Sequence, residues 1–145
     1  MKSGPSLHIL DQTESTNNYA MARVRSGMAV DGEAWFTHYQ THGRGQRGRT
    51  WKSLPNENLL MSVVFWVPAG FKPQPFVFNA LIANTSRFFL ASLADEPVQI
   101  KWPNDLYVGN QKIGGILIEN NYKGSDWNWA VAGIGVNVNQ SNFPE

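Results

Sequence analysis

Apolar positions recur along this chain with two spacings, and the switch between them predicts the elements. Ala20 and Val24 stand one helical turn apart in a segment that Ser15 or Thr16 can cap and Gly27 can stop, which predicts a helix to about Ser26. A strand is expected over about Ala34 to Tyr39. Leu59 to Val67 is a β-prone apolar run, as expected of a strand covered on both faces or central in a sheet. Pro75 suits the first turn of a long helix reaching about Leu93. From Val98 the spacing becomes two: Val98, Ile100 and Trp102 share one face, Gln99 and Lys101 the other, so Lys101 points away from the apolar side. Gly109-Asn110 predicts a hairpin turn between Leu106 to Val108 and Lys112 to Glu119. The turn-prone stretch Asn120 to Asp126 should lead into a last strand over Trp127 to Val138. Two helices among strands joined mostly by hairpins predict an α+β fold: a mixed, mainly antiparallel sheet with helices packed on it.

Thr41 to Lys52 interrupts both patterns, being dense in glycine and arginine and nearly devoid of apolar residues; it predicts a loop unable to fold on its own. Elsewhere the chain has no repeat and no linker. Its 145 residues, 42% hydrophobic and 16% charged, suit one globular domain with a real core rather than two. No run of about 18 apolar residues exists and Met1 to Leu10 lacks a signal-peptide pattern, so a cytoplasmic protein without a membrane span is expected. With no cysteine, disulfides, a thiol nucleophile and thiolate-bound zinc are excluded. A net charge of +1 argues against DNA as a partner.

Four blocks carry candidate chemistry. Gly43-Arg44-Gly45-Gln46-Arg47-Gly48-Arg49 sets three guanidinium groups on a backbone that a ligand can approach closely, which suits phosphate. Its spacing matches neither the Walker loop nor the dinucleotide fingerprint, and a single block between strands differs from repetitive RGG tails. Lys101-Trp102-Pro103-Asn104-Asp105 ends a strand with a lysine on its polar face, which taken alone reads better as an ordinary surface lysine than as a ligand-binding one. Gly114-Gly115 lies inside a strand, where missing side chains leave room for a flat ligand or mark a β-bulge. Gly133-Ile134-Gly135-Val136-Asn137 repeats that gap in the next strand, so the two could flank one pocket. His38 and His42 span a strand end and a loop and share no helix face; no protein-bound structural metal is expected.

Together with Glu14-Ser15-Thr16-Asn17, and in the same order and spacing, Gly43 to Trp51, Lys101 to Asp105, Lys112 to Leu117 and Gly133 to Asn137 resemble the biotin-protein ligases over nearly the whole chain. The resemblance implies a fold similar to the catalytic domain of class II aminoacyl-tRNA synthetases. It implies activation of biotin by ATP, with Mg²⁺, and transfer to a lysine of a biotin carboxyl carrier protein. For the biotin side it implies Ser15, Thr16, Asn17, Gln40, Gly43, Arg44, Lys101, Gly114 and Gly115, with Gln40 offering an acceptor to the ureido N–H groups. For the adenylate it implies Arg44, Gly45, Gln46, Trp51, Asn104 and Asn137, and Lys101 and Arg44 as the catalytic cations. Helix capping by Ser15 and Thr16, and a core role for Trp51, stand beside these readings.

Gln46 departs from members with arginine there, which leaves adenylate retention more to Arg44 and Lys101. Family members usually add C-terminal helices and a small β-barrel, and some an N-terminal DNA-binding domain; neither is expected within residues 1–145. Two helices cover little of so large a sheet, so an apolar face buried by a partner subunit, as in a homodimer, is a further expectation. The alternatives are a lipoate-protein ligase and a non-catalytic biotin- or nucleotide-binding module.

Overall fold

The computed structural model describes residues 4–72 and 74–143. Strand β1 (Leu7–Leu10) leads to helix α1 (Thr16–Arg25) and β2 (Ala34–Thr37); after the glycine-arginine loop come β3 (Asn58–Trp66) and α2 (Pro75–Ala91). The chain then runs through β4 (Val98–Lys101), β5 (Asp105–Val108), β6 (Gln111–Lys123) and β7 (Asp126–Asn137). The seven strands form one sheet in the order β1-β2-β3-β7-β6-β5-β4. Only β1 pairs parallel, with β2; every other neighbour is antiparallel, so the mixed, mainly antiparallel α+β class stands.

Adjacent strand residues point to opposite faces, and that alternation divides the core. Val64 and Val131 join Ala20, Met21, Val24 and Trp35 under α1, whereas Phe65 and Ala132 join Ile82, Ala83 and Leu106 under α2. The helices therefore cover opposite faces. β3 is central, pairing with β2 on one side and β7 on the other, and its buried positions Asn58, Leu60, Ser62 and Val64 alternate along the α1 face. Pro75 occupies the first turn of α2, where its missing N–H costs nothing. Beyond Ile82, Ala83 and Ser86, much of α2 is turned outward, with Phe76, Leu81, Phe88 and Phe89 exposed.

One strand was not expected and two expectations need correction. β1 lacks a pattern of its own: Leu7 and Ile9 are exposed, so neither alternation nor burial marks it in the sequence. The turn before β7 is shorter than Asn120 to Asp126, because β6 stays paired to Lys123↔Asp126 and Gly124 alone supplies the positive φ. β2 stops at Thr37, where the hydroxyl bonds the Tyr39 carbonyl and ends the ladder.

β1 is tied to the sheet by chemistry as well as by pairing. His8 Nε2 lies 2.6 Å from Glu33 Oε1, Val30 N–H donates to Glu33 Oε2 at 2.9 Å, and the His8 ring stacks on Trp35. Burial pushes the Glu33 carboxyl up, but the Val30 and His8 hydrogen bonds and the charges of His8 and Arg23 outweigh it and hold the group below its ordinary value. A depressed carboxyl contributes stability above the unfolded pKa of about 4.3 and loses it as pH falls through the folded value. Glu33→Gln is thus expected to cost on the order of 1 kcal/mol at pH 7. In denaturant melts the gap to wild type should narrow toward pH 3, whereas a gap that widened in acid would contradict the assignment.

Candidate functional site

A cavity of about 380 Å³ opens on the α1 face of the sheet, where β6 and β7 carry glycine. The start of α1 forms one wall. Ser15 is the N-cap, its Oγ accepting from Asn18 N–H, and Ser15, Thr16 and Asn17 are all buried, so the cap side chains face the interior. Gly133 is required by this arrangement, since a Cβ there would overlap Asn17 Oδ1. A Cβ on Gly135 would come within 2.6 Å of Trp51 Cε2, and one on Gly115 within 2.8 Å of Trp51 Cζ3. The flat group seated over both glycines is therefore the Trp51 indole, projecting from the glycine-arginine loop onto the sheet.

That loop is held more firmly than its composition predicts. Gly45 N–H donates to Arg49 O at 2.7 Å, Trp51 N–H to Gly43 O at 2.9 Å and His42 N–H to Glu14 O at 2.8 Å, and residues Gln46–Gly48 form a single tight turn. Thr41 to Lys52 thus finds partners for its backbone although Trp51 is its one large apolar side chain. Arg47 adopts a positive φ of 54°, a conformation costly for a residue other than glycine.

Hydrogen bonds fix what the polar wall offers a ligand. Gln40 Oε1 accepts from Thr16 N at 2.8 Å and faces Thr16 Oγ1 at 3.1 Å; Ser62 Oγ lies 2.8 Å from Thr16 Oγ1 and 2.6 Å from Asn17 Oδ1. The Asn17 amide is oriented with Nδ2 toward Leu117 O and Glu119 Oε2, leaving Oδ1 as an acceptor for Ser62. A hydroxyl carries one proton, so two protons serve three oxygen–oxygen contacts between two ends that only accept. The Thr16–Ser62 pair has acceptor capacity to spare and no proton to spare. Ser15 Oγ already accepts from Asn18, and its own proton remains for a ligand oxygen. This wall can receive an N–H and donate to a carbonyl side by side.

Two ion pairs supply charge. Lys112 Nζ lies 2.8 Å from Asp105 Oδ1 and 5.6 Å from the Trp51 ring centroid; Asn104 Nδ2 donates to the same carboxylate oxygen at 3.2 Å. Arg44 sets Nη2 2.8 Å from Glu119 Oε1 and gives Nη1 to Asn18 Oδ1 at 2.7 Å and Glu119 Oε2 at 3.1 Å. Among the described residues no group of three or more His, Asp or Glu side chains stands close enough to hold a metal ion.

Of the residues singled out from sequence, Ser15, Thr16, Asn17, Gln40, Arg44, Gly45, Gln46, Trp51, Asn104 and Gly115 line this cavity. Gly43, Lys101, Gly114 and Asn137 do not line it. Gly43 sits behind the loop, where a Cβ would strike the Trp51 carbonyl; Gly114 faces Leu106 on the α2 side; Asn137 Nδ2 donates to Lys112 O. Lys101 lies on the cavity face of the sheet, on the outermost strand. Its register through Asp105 to Gly115 puts it on the cavity side, but β4 is the sheet edge, and its ammonium lies 5.5 Å from the Tyr107 ring centroid. Gln40 also differs from expectation, because Thr16 already occupies its carbonyl and the amide nitrogen is what it has left to offer. Lys112, Asp105 and Glu119 were not selected from sequence. The first two lay inside the matched blocks Lys112 to Leu117 and Lys101 to Asp105, and only the pairing of β5 with β6 brings them together.

The model of the biotin/lipoate A/B protein ligase family matches residues 9–137. Among curated proteins, the bifunctional ligase/repressor BirA of Escherichia coli is 37% identical over 139 residues, covering 93% of this chain and 41% of that protein. Biotin–[acetyl-CoA-carboxylase] ligase of Mycobacterium tuberculosis is 32% identical over 138 residues, covering 93% and 50%. The chain thus spans half or less of the length of these relatives. Among solved structures, biotin protein ligase from Aquifex aeolicus in complex with biotin and ATP superposes with a TM-score of 0.77 at 28% identity, covering 97% of this chain and 55% of that one. The biotin acetyl coenzyme A carboxylase synthetase of Helicobacter pylori, with bound biotinylated ATP, gives 0.75 at 27% identity, covering 97% and 64%.

Proposed function

We propose, on the premise that the chain belongs to the biotin/lipoate A/B protein ligase family, that it activates biotin with ATP and passes it to a lysine of a biotin carboxyl carrier protein. The observation that carries this reading is one cavity holding both a wall of paired donors and acceptors and the Lys112 ammonium. A ureido ring presents one carbonyl between two N–H groups. Ser15 Oγ–H answers the carbonyl, and the spare lone pairs of Thr16 Oγ1 answer an N–H. Lipoate is disfavoured because its dithiolane has neither group and would leave this buried wall unpaired.

In the first step a carboxylate oxygen of biotin attacks the α-phosphorus of ATP; the bond to the β-phosphate oxygen breaks, giving biotinyl-AMP and pyrophosphate. Two anions must meet, and Lys112 is the cation in position to lie between them. Mg²⁺ enters as part of the nucleotide substrate, because Asp105 is engaged by Lys112 and no group of three or more His, Asp or Glu among the described residues is placed to hold it. In the second step a carrier lysine attacks the acyl carbon, the amide forms, AMP leaves and the amine gives up a proton. Trp51, laid over Gly115 and Gly135, screens the anhydride from water. Residues 1–145 act, in this reading, as the catalytic unit. The test is to incubate the chain with biotin, MgATP and a carrier domain: a single biotinylated carrier lysine by mass spectrometry is expected, and unmodified carrier would count against the reading.

A further inference from the structure

We infer that Glu119 is a positioning residue: it latches the glycine-arginine loop to the sheet through Arg44 and, through Asn17, sets which cavity oxygens accept. Its carboxylate receives three N–H groups from two elements distant in sequence, Arg44 Nη2 at 2.8 Å, Arg44 Nη1 at 3.1 Å and Asn17 Nδ2 at 3.0 Å. The bidentate pairing fixes the guanidinium plane as a single hydrogen bond would not. Arg44 ties the loop to β6 by charge, where Trp51 ties it by packing over Gly115, and it carries the tie on to α1 through Asn18 Oδ1.

The second consequence follows from orientation. With an ionised Glu119 beside it, the Asn17 amide must turn Nδ2 toward the carboxylate, so Oδ1 faces Ser62 Oγ. That choice makes Asn17 an acceptor at one end of the hydroxyl chain, matching Gln40 Oε1 at the other, and it leaves Thr16 Oγ1 free to accept from a ligand N–H. A neutral amide at position 119 removes this constraint, since it can offer either an oxygen or an N–H to Asn17. Glu119 does not line the cavity, so its effect on a ligand must pass through Arg44 and Asn17.

The ligand arm of the test rests on the functional reading above; the loop arm does not. Glu119→Gln keeps the shape and removes the charge. In a variant with wild-type circular dichroism and melting cooperativity, amide exchange over Thr41 to Trp51 is expected to speed up about tenfold in the absence of ligand. The calorimetric biotin dissociation constant should rise about tenfold, equivalent to about 1.4 kcal/mol. Exchange or biotin affinity remaining within twofold of wild type in the folded variant would overturn the assignment. Should wild type itself bind no biotin, the functional reading falls instead, and the exchange arm alone judges the latch.

Discussion

Lys112→Ala is expected to slow biotinyl-adenylate formation by a hundredfold or more, on the order of what removing a preorganised charge stabiliser costs, while Lys101→Ala stays within about threefold of wild type. The contrast is sharp because both lysines sit on the same sheet face, one strand pairing from Asp105. Lys112 lines the cavity, is aligned by Asp105 and lies near the Trp51 ring, whereas Lys101 occupies the edge strand beside Tyr107. In the proposed reaction, removing Lys112 takes the cation from between carboxylate and α-phosphate and leaves Asp105 without its ion-pair partner, which adds repulsion toward both anions. Lys101 is exposed, so its loss opens no cavity. Single-turnover adenylation by the two folded variants decides the matter. A crippled Lys101→Ala beside an active Lys112→Ala would return the role to the edge strand.

Gly133→Ala should damage binding and folding together. Its Cβ would overlap Asn17 Oδ1 and approach Asn17 Cγ to 2.9 Å, and Asn17 cannot swing aside freely because Ser62, Leu117 and Glu119 all hold it. Overpacking of this kind costs about 1–3 kcal/mol. Relief requires moving the start of α1, which carries Ser15 and Thr16, so biotin affinity should fall by more than about tenfold, or 1.4 kcal/mol. Denaturant melts and calorimetry on the same preparation read the two effects. An alanine variant with wild-type stability and affinity would show that Asn17 is not fixed where the hydrogen bonds place it.

Local rules carried the elements whose burial and local pattern agree. Pro75, the Gly109-Asn110 turn and the alternation from Val98 each state a backbone preference that tertiary contacts do not override. β1 stayed hidden because its exposed Leu7 and Ile9 say nothing of a partner supplied by β2. In the site, the glycine gaps in β6 and β7 were visible, but what fills them was not: the expected flat ligand is, in the structure, the Trp51 ring. Lys101 was singled out by the family resemblance, and period two puts it on the polar face, as observed; that β4 lies outermost follows from strand order, a non-local property. Glu119 lacked a signal for the same reason. Its partners Asn17 and Arg44 are 102 and 75 residues away in sequence, and only the fold brings them together.

The central claim is that this chain activates biotin, and biotin-dependent exchange of labelled pyrophosphate into ATP isolates that step from carrier recognition. Exchange that requires biotin, is not supported by lipoate and drops on the order of a hundredfold in Lys112→Ala is the result expected. Exchange supported by lipoate in place of biotin, or no exchange by a folded chain that binds both biotin and ATP, would contradict it.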